Sequence, residues 1–125
     1  MRKAGAARDI PPPLELLCLN ALWPLGEASV KDVQQSVAGA RALAYTTVMT
    51  LLERLVRRGL VKRRKVGRAF LYEPAVSRDA MRRLALQEFL DSYFDCSPEQ
   101  LLRFLQSEPR AVSLTASNGL DPVLL

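Results

Sequence analysis

The chain has 125 residues, 49% of them hydrophobic, so it is long enough for one domain with a core and a small addition. Its apolar runs are far shorter than the ~20 residues that span a bilayer, and its N-terminal segment lacks the apolar centre of a secretory signal. These features predict a cytoplasmic protein with no membrane insertion. Without histidine or cysteines at metal-ligand spacing, we expect no metal, no cofactor and no enzyme activity.

The net charge of +5 is distributed unevenly along the chain. Residues 1–75 hold thirteen Lys and Arg against six Asp and Glu, whereas residues 76–125 hold five against seven. A basic front and a slightly acidic back indicate a polyanion-binding part joined to a part with another role.

Two short helices are predicted first along the chain. Apolar residues recur every three or four positions after the proline run at 11–13, which predicts a helix that Pro24 and Gly26 end. Ser29 and Asp32 fit a variant of the capping box, in which hydroxyl and carboxylate satisfy free backbone amides. A second helix of about three turns is therefore expected to begin there.

The third helix is predicted within AYTTVMTLLERLVRRG, residues 44–59, and it has two different sides. Its large aliphatic residues share one arc, and its threonines and arginines share the other. Short polar side chains let a helix start approach base edges in the major groove, where a threonine can offer both hydroxyl and methyl. The residues predicted to read bases are Tyr45, Thr46, Thr47, Met49 and Thr50.

Alternatives remain open for the polar side of this helix. Thr46 or Thr47 could merely cap the helix, and the Thr50 hydroxyl could bond back to the preceding turn. Glu53 would face phosphates on this side. Either it pairs with Arg57, or the helix tilts so that only its first two turns enter the groove, and we favour the tilt.

Two strands are predicted next, at 60–65 and 69–73, joined by a turn that contains Gly67. Residues 54–68 carry eight cations and no acid. A solvated basic face is the plain interpretation of such a run. On a recognition helix and a wing, however, cations would neutralise backbone phosphates and release counterions. The predicted backbone and wing contacts are Arg54, Arg57, Arg63, Lys65 and Arg68.

Two further helices are predicted, beginning at Ser77 and Ser97. The first has a broad apolar and aromatic face that needs a covering surface, either the preceding domain or a partner chain. We expect a homodimer, since symmetric dimers are common and DNA readers often use them. The predicted dimerisation residues are Leu86, Phe89, Leu90, Tyr93, Phe94, Leu101, Leu102 and Leu105.

The order helix, helix, helix, strand, strand predicts a winged helix, a relative of the helix-turn-helix. The fold class is thus mainly α with a small β-hairpin: a winged helix followed by a helical dimerisation region. We divide the chain into a flexible basic arm at 1–11, a winged-helix DNA-binding domain at 12–75, a helical dimerisation domain at 76–107 and a flexible tail at 108–125.

The segments LWPLGEASVKDVQ and AYTTVMTLLERLVRRGLVKRRKVGRAFLYEP, with the helix after Ser77, resemble the penicillinase repressor family, the BlaI/MecI/CopY group of bacterial repressors. The resemblance covers about residues 12–106. It implies a homodimer that binds an inverted-repeat operator in double-stranded DNA and blocks transcription, for example of antibiotic-resistance or stress-response genes. On matching positions it places Thr46, Thr47, Met49 and Thr50 in the base-reading helix and Lys65 and Arg68 in the wing.

The resemblance also implies a partner, because a membrane sensor-protease often triggers cleavage of family members in the dimerisation region. Two departures bear on regulation. The cysteine pair of the copper-responsive branch is absent, and SEPRAVSLTASNGLDPVLL stands where the family has an acidic linker and a charged helix. These departures argue against copper sensing and against the usual cleavage-based release. A protein-interaction module and a ligand-sensing regulator remain the alternative functions.

Overall fold

The computed structural model describes residues 10–108, which form a winged helix followed by two further helices. The helices are α1 (Pro13–Leu25), α2 (Val30–Val37), α3 (Tyr45–Arg57), α4 (Arg78–Tyr93) and α5 (Pro98–Ser107). The strands β1 (Val61–Val66) and β2 (Ala69–Pro74) pair antiparallel. The predicted fold class is confirmed. The predicted arm at 1–11 and tail at 108–125 lie almost wholly outside the described residues.

Of the two residues predicted to end α1, Gly26 does so and Pro24 does not. Pro24 lies inside the helix, which continues to Leu25. A proline has no amide hydrogen, so the helical hydrogen bond from position 24 is missing. Gly26 ends the helix with a φ of 80°, and its amide donates to the Leu22 carbonyl at 2.7 Å. Gly26 alone therefore marks the stop, since its missing Cβ permits this conformation.

The capping box predicted for α2 is confirmed. Ser29 Oγ accepts a hydrogen bond from the Asp32 amide, and Asp32 Oδ2 accepts one from the Ser29 amide, both at 3.1 Å. The helix then buries Val30, Val33 and Val37 on one side. The cap fixes where this short helix begins and thereby which of its sides meets the core.

The core of the winged helix lies between α1, α2, α3 and the hairpin. The arc predicted for α3 supplies four fully or nearly fully buried residues and the half-buried Val56. Cys18 is completely buried, as expected of a small apolar residue. Burial and the nearby Glu15 charge raise the pKa of the Cys18 thiol to about 11, so this thiol stays protonated at neutral pH.

The hairpin is attached to the helices through its second strand. Val61 lies opposite Pro74 and Val66 opposite Ala69, and Gly67 forms the turn with a φ of 63°. The Ala28 amide donates to the Tyr72 carbonyl at 2.9 Å, and the Tyr72 amide donates to the Ala28 carbonyl at 2.8 Å. Through this isolated antiparallel bridge, Ala28 of the α1–α2 connection pairs with β2 beside the two strands of the hairpin.

The chain forms two compact units, whose boundary lies between Ala85 and Leu86 inside α4. In the first unit, Met81 of α4 joins the core, and Trp23 Nε1 donates to the Val76 carbonyl at 2.9 Å. In the second unit, Ser97 Oγ accepts the Gln100 amide at the start of α5, as predicted. Among the described residues, no helix combines the length and the apolar character that crossing a membrane requires.

Replacing the cap residue of α2 should destabilise the first unit. We expect Ser29→Ala to lower the free energy of unfolding by about 1 kcal/mol, because the Asp32 amide loses its side-chain acceptor. Ser36→Ala is the matched control, since Ser36 is an exposed serine within the same helix. Urea unfolding followed by circular dichroism measures both. Equal effects of the two substitutions would contradict the role of the capping box.

Candidate nucleic-acid interface

The start of α3 is exposed and offers short polar side chains together with free backbone amides. Tyr45, Thr46, Thr47, Met49 and Thr50 are all exposed. The N-cap is Ala44, and no side chain caps the helix, so the alternative in which a threonine acts as the cap is wrong. The first amides of a helix that lacks a side-chain cap remain available to an acceptor and lie at the positive end of the helix dipole.

The side chains of the three threonines surround one shallow depression. Thr46, Thr47 and Thr50 line it together with Arg54 of the next turn and Leu14 of α1. The depression therefore combines hydroxyl groups and methyl groups with a guanidinium at its edge. This is the set of groups that base edges and a neighbouring phosphate can use.

A buried ion pair connects the beginning of α1 with the end of α3. Glu15 is only 2% exposed, and its Oε1 accepts a hydrogen bond from Arg58 Nε at 2.6 Å. Glu15 also lies in the first turn of α1, where the helix dipole favours a negative charge. A carboxylate in this environment needs a cation nearby, so Arg58 has a structural partner.

The sequence analysis did not single out Glu15, although a signal was present. Glu15 precedes Cys18, Leu19 and Leu22 by three, four and seven residues, and all three are buried. An acid at this spacing lies within the buried stripe of its helix, and a buried carboxylate calls for a partner. Which cation supplies the partner could not be read from the spacing, because Arg58 is 43 residues away.

A second ion pair joins the hairpin to the α1–α2 connection. Arg64 Nε donates to Glu27 Oε2 at 2.6 Å, and Arg64 Nη2 donates to Glu27 Oε1 at 2.9 Å. This two-point geometry is the strongest form of an arginine–carboxylate contact. The Arg64 hydrogen bond holds the pKa of the Glu27 carboxyl below its usual range. The pair is exposed, so its contribution to stability is small.

A third contact identifies the partner of Glu53. Arg63 Nη1 donates to both Glu53 oxygens at 2.7 Å, and the Tyr72 hydroxyl donates to Glu53 Oε2 at 2.6 Å. Partial burial works to raise the pKa of Glu53, but these two hydrogen bonds outweigh it and hold the pKa below its usual range. Glu53 thus pairs with Arg63 rather than with Arg57, the less favoured of the two alternatives, and its carboxylate is directed at the hairpin.

The three ion pairs divide the eight cations of residues 54–68 into two groups. Arg58, Arg63 and Arg64 bind carboxylates of the first unit. Within residues 10–108, no ion pair engages the other five cations, all of them exposed: Arg54, Arg57, Lys62, Lys65 and Arg68. The predicted contacts Arg54, Arg57, Lys65 and Arg68 belong to this second group, and Arg63 does not.

The second unit carries the predicted dimerisation residues. Leu90 is 4% exposed, whereas Leu86, Phe89, Tyr93 and Leu102 are exposed, with Tyr93 at 74%. Phe94, Leu101 and Leu105 are half-buried. Phe89 and Phe94 have ring centroids 5.4 Å apart, and Phe94 and Phe104 have centroids 5.6 Å apart. Phe104, which the prediction omitted, is also exposed, so an apolar aromatic surface remains uncovered in a single chain.

Metal chemistry finds no support in the part of the chain that the structure describes. In residues 10–108, no group of three or more His, Cys, Asp or Glu side chains could hold a metal ion. Cys96 is exposed, and a hydrogen bond involving Asp91 raises the pKa of its thiol. A raised pKa lowers the thiolate fraction, and the thiolate is the form that reacts and binds metals.

A three-helix core with a two-stranded wing and a cation-rich third helix defines the class as a winged-helix protein. Residues 12–119 match the family model described as penicillinase repressor, and the chain belongs to that family. The resemblance inferred from the sequence is thereby confirmed. The family is by its description one of repressors, not of enzymes.

Two curated relatives and one solved structure agree with this assignment. The chain is 39% identical over 69 residues to "Transcriptional regulator BlaI" of Mycobacterium tuberculosis, covering 54% of this chain and 50% of that protein. It thus spans about half the length of that relative. It is 22% identical over 95 residues to the "Penicillinase repressor" of Bacillus licheniformis, covering 75% of this chain and 74% of that protein. The solution structure of the DNA-binding domain of the repressor BlaI superimposes with a TM-score of 0.50 at 23% identity. The superposition covers 62% of this chain and 90% of that domain, and it supports the winged-helix fold.

Removing the partner of the buried Glu15 carboxylate should destabilise the first unit. We expect Arg58→Ala to lower the free energy of unfolding by about 2 kcal/mol, because a buried acceptor loses its charged donor. Arg57→Ala is the matched control, since that exposed neighbour has no ion pair within residues 10–108. Chemical unfolding of both variants decides the point, and an Arg58→Ala value no larger than that of the control would contradict it.

Proposed function

We propose that this chain is a cytoplasmic transcriptional repressor that binds double-stranded DNA as a homodimer at an inverted-repeat operator. One observation carries the proposal: α3 and the wing present exposed threonines, beside Arg54, and five exposed cations that no ion pair engages within residues 10–108. Membership in the penicillinase repressor family supports it. The two relatives, a transcriptional regulator and a penicillinase repressor by name, support it as well.

In the proposed complex the start of α3 enters the major groove. The hydroxyl and methyl groups of Thr46, Thr47 and Thr50 meet base edges, and Tyr45 and Met49 add apolar contacts. This arrangement uses the N-terminal part of the helix, as helix-turn-helix proteins commonly do. It also leaves the last turn of α3 near the DNA backbone, where cations are of use.

The free cations of α3 and of the wing would hold the DNA backbone. Arg54 and Arg57 lie one turn apart on α3, and Lys65 and Arg68 flank the turn at Gly67. Lys62 extends this set along β1. Such contacts fix the register of the protein on the duplex and supply most of the salt-dependent affinity, without reading sequence. We do not include Arg63, because its guanidinium is held by Glu53.

The homodimer would be formed by the region at 76–107. The uncovered apolar side chains of the second unit, among them Leu86, Phe89 and Tyr93, support this part of the proposal. Contiguous apolar surface of this kind is rare on monomers and commonly marks an interface. A two-fold dimer presents two recognition helices and so reads two half-sites.

Family membership supports two finer parts of the proposal. The regulated genes would belong to antibiotic resistance or a stress response, and release would involve a membrane sensor-protease. Fusing the predicted promoter targets of the host genome to a reporter, with and without a β-lactam, would test both parts together.

Selection of bound duplexes from a random library at near-physiological salt tests the DNA part. We expect enrichment of an inverted repeat with half-sites about 10 base pairs apart or a multiple of this. Thr50→Val, which keeps the shape and loses the hydroxyl, should change the preferred base at one position of each half-site. Lys65→Gln should keep the preferred sequence and make the slope of log affinity against log salt shallower by about 0.9.

The control for this selection is Ser36→Ala, which removes an exposed hydroxyl from α2. It should alter neither the enriched sequence nor the salt slope. If the protein bound no duplex even at low salt, the repressor function would be refuted and a protein-interaction module would take its place. If no sequence were enriched while the protein bound all duplexes in a salt-dependent way, only base reading by α3 would be refuted.

A charge placed in the apolar surface of the second unit should separate the dimer. We expect Phe89→Glu to sediment as a monomer and to bind a duplex with two half-sites no better than one with a single half-site, because burying a carboxylate costs several kcal/mol. Ser92→Glu is the matched control, since Ser92 is an exposed polar residue of the same helix. Persistence of the wild-type mass in Phe89→Glu would show that dimerisation uses another surface.

A further inference from the structure

We propose that Glu53 is a positioning residue, which fixes the wing to the recognition helix and keeps Arg63 away from the DNA phosphates. The inference rests on the proposed DNA-binding function and goes beyond it. It assigns a specific role to the carboxylate of a DNA-binding helix. Without such a role this carboxylate would only weaken DNA binding, because it repels phosphates.

The geometry around Glu53 is unusual for a surface carboxylate. It accepts three hydrogen bonds within 2.7 Å from two donors, Arg63 and Tyr72. The two donors lie directly opposite each other in the hairpin register, so one carboxylate holds both strands. Its own backbone belongs to α3, so the contact joins the recognition helix to the wing.

The position of Glu53 is itself determined by the core. Tyr72 is 1% exposed, and both of its backbone groups bind Ala28. Burial, followed by the hydrogen bond to Glu53, raises the pKa of the Tyr72 hydroxyl to about 12, so the hydroxyl remains a donor at physiological pH. A fixed and protonated Tyr72 can therefore hold the Glu53 carboxylate in one place.

The position of Arg63 is fixed from two directions. Glu53 binds Nη1, and the guanidinium carbon lies 4.6 Å from the centre of the Phe70 ring. An ion pair combined with a cation–π contact restricts a side chain that would otherwise sample many rotamers. Arg63 is thus a clamp within the wing, and the Glu53 carboxylate compensates its charge in the DNA-free protein.

This clamp bears on DNA recognition through the residues next to it. Lys65 lies two residues beyond Arg63, on the same face of β1, and Arg68 follows at the turn. A two-stranded hairpin is only marginally stable by itself, so an anchor near its middle sets where these cations reach. Glu53 thereby fixes the distance between the groups that contact the wing phosphates and the groups that read the bases.

Glu53→Gln tests the inference, since glutamine keeps the size and removes the charge. Two changes are expected relative to the wild-type protein. On a duplex of unrelated sequence, the salt slope becomes steeper by about 0.9, because Arg63 becomes free to meet one more phosphate. The preference for the selected operator over that duplex falls by about tenfold, the scale of a single mismatched base pair.

Three further variants make the result specific. Arg63→Gln alone should leave the salt slope of the wild-type protein unchanged, and combined with Glu53→Gln it should remove the additional slope. Tyr72→Phe keeps the ring and loses one donor, so it should change the preference in the same direction but less. Glu27→Gln is the matched control: it breaks the neighbouring pair with Arg64, which does not involve α3, and should leave the preference unchanged. Thermal unfolding of each variant verifies that it is folded.

The outcomes separate this inference from the proposed function. If the wild-type protein bound no duplex at low salt, both would be refuted. If the wild-type protein preferred an operator and Glu53→Gln kept both slope and preference, only the positioning role would be refuted. A uniform loss of affinity in Glu53→Gln at unchanged slope and preference would also refute it, because that result describes a contribution to stability alone.

Discussion

The arrangement of the winged helix depends on the hydrogen bonds of Tyr72. Its backbone joins the hairpin to the α1–α2 connection at Ala28, and its hydroxyl joins the hairpin to α3 at Glu53. Because the ring is almost completely buried, these two attachments, made by three hydrogen bonds, cannot move independently of the core. The positions of the recognition helix and the wing relative to each other therefore follow from one residue whose surroundings are densely packed.

The basic charge of this region serves two purposes, and the acids determine which cation serves which. Glu15, Glu27 and Glu53 each bind one arginine of the run at 54–68. Each pair joins two different parts of the fold, so the paired arginines stabilise the tertiary structure. The cations left over are exposed, and one of them, Arg54, lines the same depression as the threonines of α3. A count of charges overstates the polyanion-binding surface, because it does not distinguish these two groups.

Local features of the fold could be predicted from the sequence, and contacts between distant residues could not. The arc of Val48, Leu51, Leu52 and Leu55 and the capping box at Ser29 are periodic or short-range signals, and both are confirmed. Helical spacing offers Arg57 as a partner for Glu53, but the partner in the structure is Arg63, ten residues away across the α3–β1 turn. Pairing the two strands places Arg63 opposite Tyr72. Whether these two side chains reach α3, however, depends on how the sheet packs against the helices. Phe104 was omitted since its exposure is a property of the folded chain.

The boundary between the two units inside α4 affects how the protein can be divided. The sequence suggests a cut after residue 75, but Val76 and Met81 belong to the buried cluster of the first unit, and Leu84 packs against it. A fragment that ends at 75 would also leave the Trp23 indole without its acceptor at Val76. A piece that follows the boundary of the first unit and extends through residue 85 retains these contacts. The opening turns of α4 are thus the last part of one folding unit before the same helix enters the next.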